Sequence, residues 1–220
     1  MTTRKTPLVT EKVYHVFSKS IAGFKVFRNR PEYKRMRELF AYYMTDNPPL
    51  RFSSFLEIKN KSVFDKRHFA QKDHLVEIIA YCIMPTHIHL LLKQTKDEGI
   101  SRFIGRVLNS YSRYFNIKNK RKGPLWQGRF KNVSVGTDEQ LLHLTRYIHL
   151  NPVSRKLVDK PEDWQHSSYC EYLGAIDDSK EKLCDFSNYL DMTPSSYRRF
   201  TENNIDYQRE LEEIKQLALE

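Results

Sequence analysis

The chain has 220 residues, with 37 Lys and Arg against 27 Asp and Glu, a formal net charge of +10 and a pI near 9.4. This length can bury a sizeable core and suits one domain with an appended tail. The basic balance points to a polyanionic partner, nucleic acid ahead of an anionic membrane surface. No apolar run approaches the ~20 residues that span a bilayer. The opening Met1-Thr2-Thr3-Arg4-Lys5 leads into no signal-type apolar core. Three scattered cysteines, Cys82, Cys170 and Cys184, argue against a disulfide framework or a Cys-rich zinc site and fit a reducing cytoplasm.

In chain order, Val13 to Phe27 is rich in β-prone residues around Gly23 and predicts a first strand or hairpin. Asn29-Arg30-Pro31 reads as a helix start. Tyr33, Met36, Phe40, Tyr43 and Met44 follow at helical spacing, and Asp46-Asn47-Pro48-Pro49 stops the helix. Leu50 to His74 mixes loop and helix signals. Two strands follow, Val76 to Met84 and a second run from His87, separated by a Pro85-Thr86 turn. Ile100, Phe103, Ile104, Val107, Leu108, Tyr111 and Phe115 mark the clearest amphipathic helix, with Arg102, Arg106 and Arg113 opposite. A basic loop (Lys118, Lys120, Arg121, Lys122) leads through Trp126, Arg129 and Lys131 to a short strand, Asn132 to Val135.

Thr137 is an N-cap candidate with Gln140 at the capping-box position, and Asp138 and Glu139 suit the positive end of the helix dipole. Leu141, Leu144 and Ile148 are the expected buried stripe, with His143, Tyr147 and Asn151 beside it at four-residue intervals and Asn151-Pro152 as the helix end. Trp164 and Ser167-Ser168-Tyr169 suggest a packing segment, and Asp177 to Lys182 a polar linker. Tyr189 to Leu219 predicts one or two amphipathic tail helices, with Thr193-Pro194 opening the first.

Two features carry chemistry. Side chains two apart on a strand share a face, so His87 and His89 stand together, either as two ligands for one metal ion or as an incidental pair on an exposed face. From Ile100 to Thr137 there are nine Lys or Arg and no Asp or Glu, which reads as a surface facing an anion. Within it Trp126 either stacks on a base or anchors the loop in the core. Were Tyr147 and Asn151 to meet the His pair in space, the set would suit attack by a phenol on a phosphodiester. A phenol of ordinary pKa near 10 is only about a thousandth ionised at neutral pH and needs a cation's help. The plainer alternative makes Tyr147 a core-edge aromatic and Asn151 a C-cap.

Pro85-Thr86-His87-Ile88-His89, then Gly123-Pro124-Leu125-Trp126-Gln127-Gly128-Arg129-Phe130-Lys131, then Tyr147-Ile148-His149-Leu150-Asn151-Pro152-Val153 resemble, in that order, the REP-associated tyrosine transposases of the single-tyrosine HUH superfamily. The resemblance runs from about Val13 to Tyr172. It implies an α+β, ferredoxin-like antiparallel sheet with helices packed on one side. It also implies Mg²⁺- or Mn²⁺-dependent cleavage and rejoining of single-stranded DNA near hairpins through a 5′-phosphotyrosine. By motif matching it gives His87 and His89, assisted by Asn151, the metal, and Tyr147 the nucleophile. Tyr111 and Tyr114 also follow the His motif and compete for that role. Thr86 departs from the family's Asn.

On this reading residues 1–175 form the catalytic domain and 176–220 a helical extension. The DNA-binding set is Arg102, Arg106, Arg113, Lys118, Lys120, Arg121, Lys122, Trp126, Arg129 and Lys131. The protein is expected to be cytoplasmic and nucleoid-associated, a monomer or homodimer. A non-catalytic single-strand-binding module of the same fold is the first alternative. A water-activating metallohydrolase would require more acidic ligands near His87 than the sequence offers.

Overall fold

The computed structural model describes residues 7–59, 73–175 and 182–217. Alternating residues and near-continuous apolar runs give four strands: β1 (Val13–Lys19), β2 (Val76–Met84), β3 (His87–Gln94) and β4 (Lys131–Val135). They pair antiparallel in the order β2-β3-β1-β4. The span predicted as strand or hairpin is a single strand, followed by a 3₁₀ turn at Ile21–Gly23. Helix α1 (Arg30–Met44) crosses from β1 to β2. Its N-cap Asn29 accepts from the Glu32 N–H at 3.3 Å, a contact that contributes about 1 kcal/mol. After α1 comes a short α2 (Phe52–Leu56) within the stretch of mixed signals, and the rest of that stretch, 60–72, lies outside the described residues. Helix α3 (Gly99–Lys118) connects β3 to β4. Residue 99 is glycine because a Cβ there would stand 2.1 Å from the Leu75 carbonyl oxygen. The order β-α-β-β-α-β with this strand arrangement is the ferredoxin-like architecture.

Pleating divides the sheet into two chemically different faces. Tyr14, Val16, Tyr81, Ile83, Ile88, Leu90 and Leu92 point to one side and pack with α1 and α3 in the larger core. The other face presents His15, Phe17 and Lys19 from β1, His87, His89 and Leu91 from β3, and Ala80, Cys82 and Met84 from β2. A β-bulge between Ile78 and Ala80 adds Ile79 to this second side. Here the structure departs from a sheet covered on one side only. Helix α4 (Asp138–Ser154) lies on the His-bearing face, seated through Leu141 and Ile148, with Leu144 half-buried.

Thr137 caps α4, its Oγ1 accepting from Gln140 N–H at 3.1 Å, while Gln140 Oε1 accepts from Gly136 N–H at 2.9 Å. The helix does not stop at Asn151-Pro152 but continues through Pro152 to Ser154. A proline lacks the N–H for its i−4 carbonyl, yet the turn is held by the Arg155 N–H on the Asn151 carbonyl (3.1 Å) and the Leu157 N–H on the Pro152 carbonyl (2.9 Å). Residues 166–168 cover the outer edge of β2, with Ile83 N–H donating to the His166 carbonyl and Ser168 N–H to the Tyr81 carbonyl. The segment around Trp164 to Tyr169, including the short α5 (Tyr169–Tyr172), is thus a packing segment as expected. Of the predicted polar linker, Asp177 to Lys182, residues 177–181 lie outside the described residues. Two tail helices follow, α6 (Pro194–Glu202), capped by Thr193, and α7 (Ile205–Leu217). Tyr197 of α6 joins the core beneath α4.

Candidate active site

The register of β1 and β3 creates the site. Phe17 stands opposite His89 and Lys19 opposite His87, so His15 is the diagonal neighbour of His89 on the same face. Three imidazoles therefore cluster. His87 and His89 have ring centroids 4.9 Å apart and nearly perpendicular, and His15 stacks on His89 at 5.2 Å. From the facing helix the Tyr147 ring closes the group, 5.8 Å from His89 and 6.0 Å from His15, edge-on to both. Asn151 is buried one helical turn further on. Its Nδ2 donates to the Tyr147 carbonyl at 2.8 Å, and its side chain also hydrogen-bonds the phenol. The two histidines, the tyrosine and the asparagine singled out by sequence thus come together in one place.

Burial sets the protonation of this group. It pushes His15 and His87 down to about 4 and His89 well below its usual value. The Arg155 and Lys19 cations add to the depression at His87. At His89 the neighbouring His87 and His15 add first, then Lys19 and Arg155. All three rings are neutral at pH 7, the form that ligates metal ions. Tyr147 is raised, mainly by burial and further by the Glu212 carboxylate, against the lowering effect of the Asn151 hydrogen bond and Arg155. A protonated phenol is the resting state.

The donor set fits a divalent ion with open positions. His87 Nδ1 is held by Thr86 Oγ1 at 2.9 Å and His89 Nδ1 by His15 Nε2 at 2.9 Å. Neither Nε2 makes a hydrogen bond among the described residues. Ligating histidines characteristically engage one ring nitrogen in the protein and offer the other. Among the described residues no group of three or more His, Cys, Asp or Glu is arranged to hold a metal. The chain thus offers two imidazoles, with the Asn151 side chain near the phenol.

Tyr111 and Tyr114 stand on α3, against the opposite face of the sheet. Tyr111 is fully buried and donates to the Val26 carbonyl at 2.6 Å, while Tyr114 is half-buried beside Lys118. Neither reaches the histidines. His15, Lys19 and Arg155 were not singled out by sequence. Only the strand pairing brings the first two to the site, and only the extra turn of α4 brings the third. Arg155 pairs with the buried Glu212 of α7 at 2.7 Å.

The basic surface is more internally engaged than its local composition implies. Arg102 forms an ion pair with Asp46, Arg106 lies 3.9 Å from the same carboxylate, and Lys118 meets the buried Glu32 at 3.0 Å. Arg121 folds onto the Gly123 and Pro124 carbonyls. Trp126 is buried in the larger core and donates to the Leu108 carbonyl at 3.3 Å, so it anchors its loop. Arg113, Lys120, Lys122, Arg129 and Lys131 are exposed.

The central segment, residues 52–151, matches the family model described as "Transposase IS200 like". A Haemophilus influenzae protein provisionally named a REP-associated tyrosine transposase is 33% identical over 104 residues, 42% of this chain and 58% of that protein. The chain thus spans a little over half the length of that relative. The solved structure of a REP-associated tyrosine transposase bound to a REP hairpin superposes with a TM-score of 0.52 at 18% identity, covering 87% of this chain and 99% of the other. The chain therefore shares that fold, and the resemblance read from the three motifs is borne out. Among the described residues no helix is long and apolar enough to cross a membrane.

Proposed function

We propose that the chain cleaves and rejoins single-stranded DNA near hairpins, as a metal-assisted single-tyrosine strand transferase with Tyr147 as nucleophile. The observation that carries this reading is the Tyr147 ring packed 5.8 Å from His89 on the sheet face that also holds His87. Residues 1–175 would form the catalytic unit and 176–220 the helical extension packed on it.

In this reaction Tyr147 Oη adds to the phosphorus as the P–O3′ bond breaks. The phenol proton leaves Oη, the 3′-oxygen departs as a hydroxyl, and the 5′ side stays on the enzyme as a phosphotyrosine. One phosphodiester is exchanged for another, so a 3′-hydroxyl can reverse the step and rejoin strands. A Mg²⁺ or Mn²⁺ ion on His87 and His89, assisted by the Asn151 oxygen, would polarise the phosphoryl group and neutralise charge on the departing oxygen. Packing of the phenol between β3 and α4 fixes its approach, and the Asn151 hydrogen bond favours the phenolate as it forms. Arg113, Lys120, Lys122, Arg129 and Lys131 would track the DNA backbone, with Arg102, Arg106, Lys118, Arg121 and Trp126 shaping that surface. The hairpin substrate is carried over from the solved relative, which binds a REP hairpin.

The test is incubation with end-labelled hairpin-bearing single-stranded DNA and Mn²⁺. A denaturant-resistant adduct mapping by peptide mass to Tyr147, absent from Tyr147→Phe protein that still binds the DNA, is the expected result. Binding without any covalent species under Mg²⁺ or Mn²⁺ would instead establish a non-catalytic single-strand-binding module.

A further inference from the structure

His15 touches a candidate ligand directly, and we infer that His15 is a positioning residue: its Nε2 accepts a hydrogen bond from His89 Nδ1–H and so fixes the tautomer that leaves His89 Nε2 free to bind a metal ion. This rests on the metal role of His89 proposed above and adds to it a residue outside all three family-like motifs.

The argument is one of proton counting. His15 Nε2 and His89 Nδ1 are 2.9 Å apart, a hydrogen-bond distance, and the two rings are stacked within 19° of parallel. A neutral imidazole carries one N–H and one lone pair. If His15 donated, the single proton of His89 would sit on Nε2, and that nitrogen could not ligate. If His89 donates, its Nε2 lone pair is presented to the site. Only the second arrangement makes His89 a ligand. It also explains why His15 is not itself a third ligand through Nε2, since that nitrogen is taken by His89. His87 is prepared in the same way by a different partner, its Nδ1 meeting Thr86 Oγ1 at 2.9 Å. Phe17, 5.3 Å from the His15 ring and 6.0 Å from the His89 ring, packs against both and limits their rotation.

The experiment uses the full chain labelled with ¹⁵N-histidine. Long-range ¹H–¹⁵N spectra of the metal-free wild-type protein should show His89 as the Nδ1–H tautomer, a readout that requires no variant. A His89 proton on Nε2 in the wild type would overturn the proposal. In His15→Phe the ring stays but the acceptor is lost. His89 is then expected to shift toward Nε2–H and Mn²⁺ affinity, measured calorimetrically, to fall about 10- to 100-fold. His15→Gln, which restores an acceptor oxygen, should recover most of that loss, a rescue that a merely space-filling role would not produce. If the wild type binds Mn²⁺ and His15→Phe binds it equally well with the His89 tautomer unchanged, the role of His15 falls while the metal reading stands. If the wild type binds no Mn²⁺, both fall.

Discussion

Tyr147 and His149 are two residues apart on α4, yet one faces a cluster of three histidines and the other is a lone histidine among hydroxyls, with opposite hydrogen-bond accounting. His149 is wholly buried and hydrogen-bonded on both sides, Nδ1 to Tyr197 Oη and Nε2 to Ser168 Oγ, each at 2.7 Å. Ser168 in turn donates to the Tyr81 carbonyl, so His149 Nε2–H donates to Ser168 and Tyr197 donates to Nδ1. That circuit is closed and ties the tail helix α6 to the sheet through α4. On the sheet face, His87 and His89 are buried almost as deeply, and burial depresses them as it does His149, yet among the described residues each keeps one nitrogen without a hydrogen bond. Burial and a lowered pKa are therefore common to both places and do not tell a candidate ligand from a hydrogen-bonded packing histidine. An open valence does.

The sharpest way to break this contrast is to remove one histidine from each place. His89→Ala is expected to reduce adduct formation at least 1000-fold, about 4 kcal/mol in transition-state terms, in a denaturing-gel assay with Mn²⁺. His149→Ala acts elsewhere. It opens a cavity and leaves the Ser168 and Tyr197 hydroxyls short of a partner, for a loss of about 3 kcal/mol in urea unfolding. Adduct formation per folded molecule should survive. Equal effects of both variants on chemistry would mean that the closed circuit also belongs to the active site.

Acid provides the next test, through His149. Its folded pKa is pushed down to about 3 by burial, below an unfolded value near 6.5. The unfolded chain therefore binds the proton first as pH falls. The stability His149 contributes is complete above about pH 6.5 and is lost progressively toward pH 3. Between pH 7 and pH 5 this one group is expected to remove about 2 kcal/mol of stability, and His149→Phe should flatten that part of the profile. An unchanged slope in the variant would assign the acid sensitivity to the sheet-face histidines instead.

Local pattern made the helices, their caps and the His87/His89 strand legible, because spacing, N-cap chemistry and alternation are short-range. What it could not supply was pairing. His15 is an unremarkable residue on an alternating strand until the β1–β3 register sets it diagonally beside His89. The same limitation affected the charge reading. The acid-free run from Ile100 to Thr137 is real, but Asp46 and Glu32, far away in sequence, reach Arg102, Arg106 and Lys118 and leave a smaller basic surface than composition suggests. Helix α4 outran its expected end for a related reason. Bonds from Arg155 and Leu157 sustain the turn that Pro152 was expected to close.

The smallest expected effect concerns Thr86, where the sequence departs from the Asn expected from the resemblance. Its Oγ1 lies 2.9 Å from His87 Nδ1, so the departure keeps an oxygen where the ring can use one as acceptor. Thr86→Val preserves shape and removes that oxygen. Mn²⁺ affinity should drop about tenfold, near 1.4 kcal/mol, with thermal stability little altered because the position is only half-buried at a turn. Thr86→Asn reintroduces a side-chain oxygen one bond further out and should bind within a few-fold of the wild type. If Thr86→Val bound as tightly as the wild type, the turn hydroxyl would be incidental, and His87 would hold its orientation by packing between Met84 and Lys19 alone.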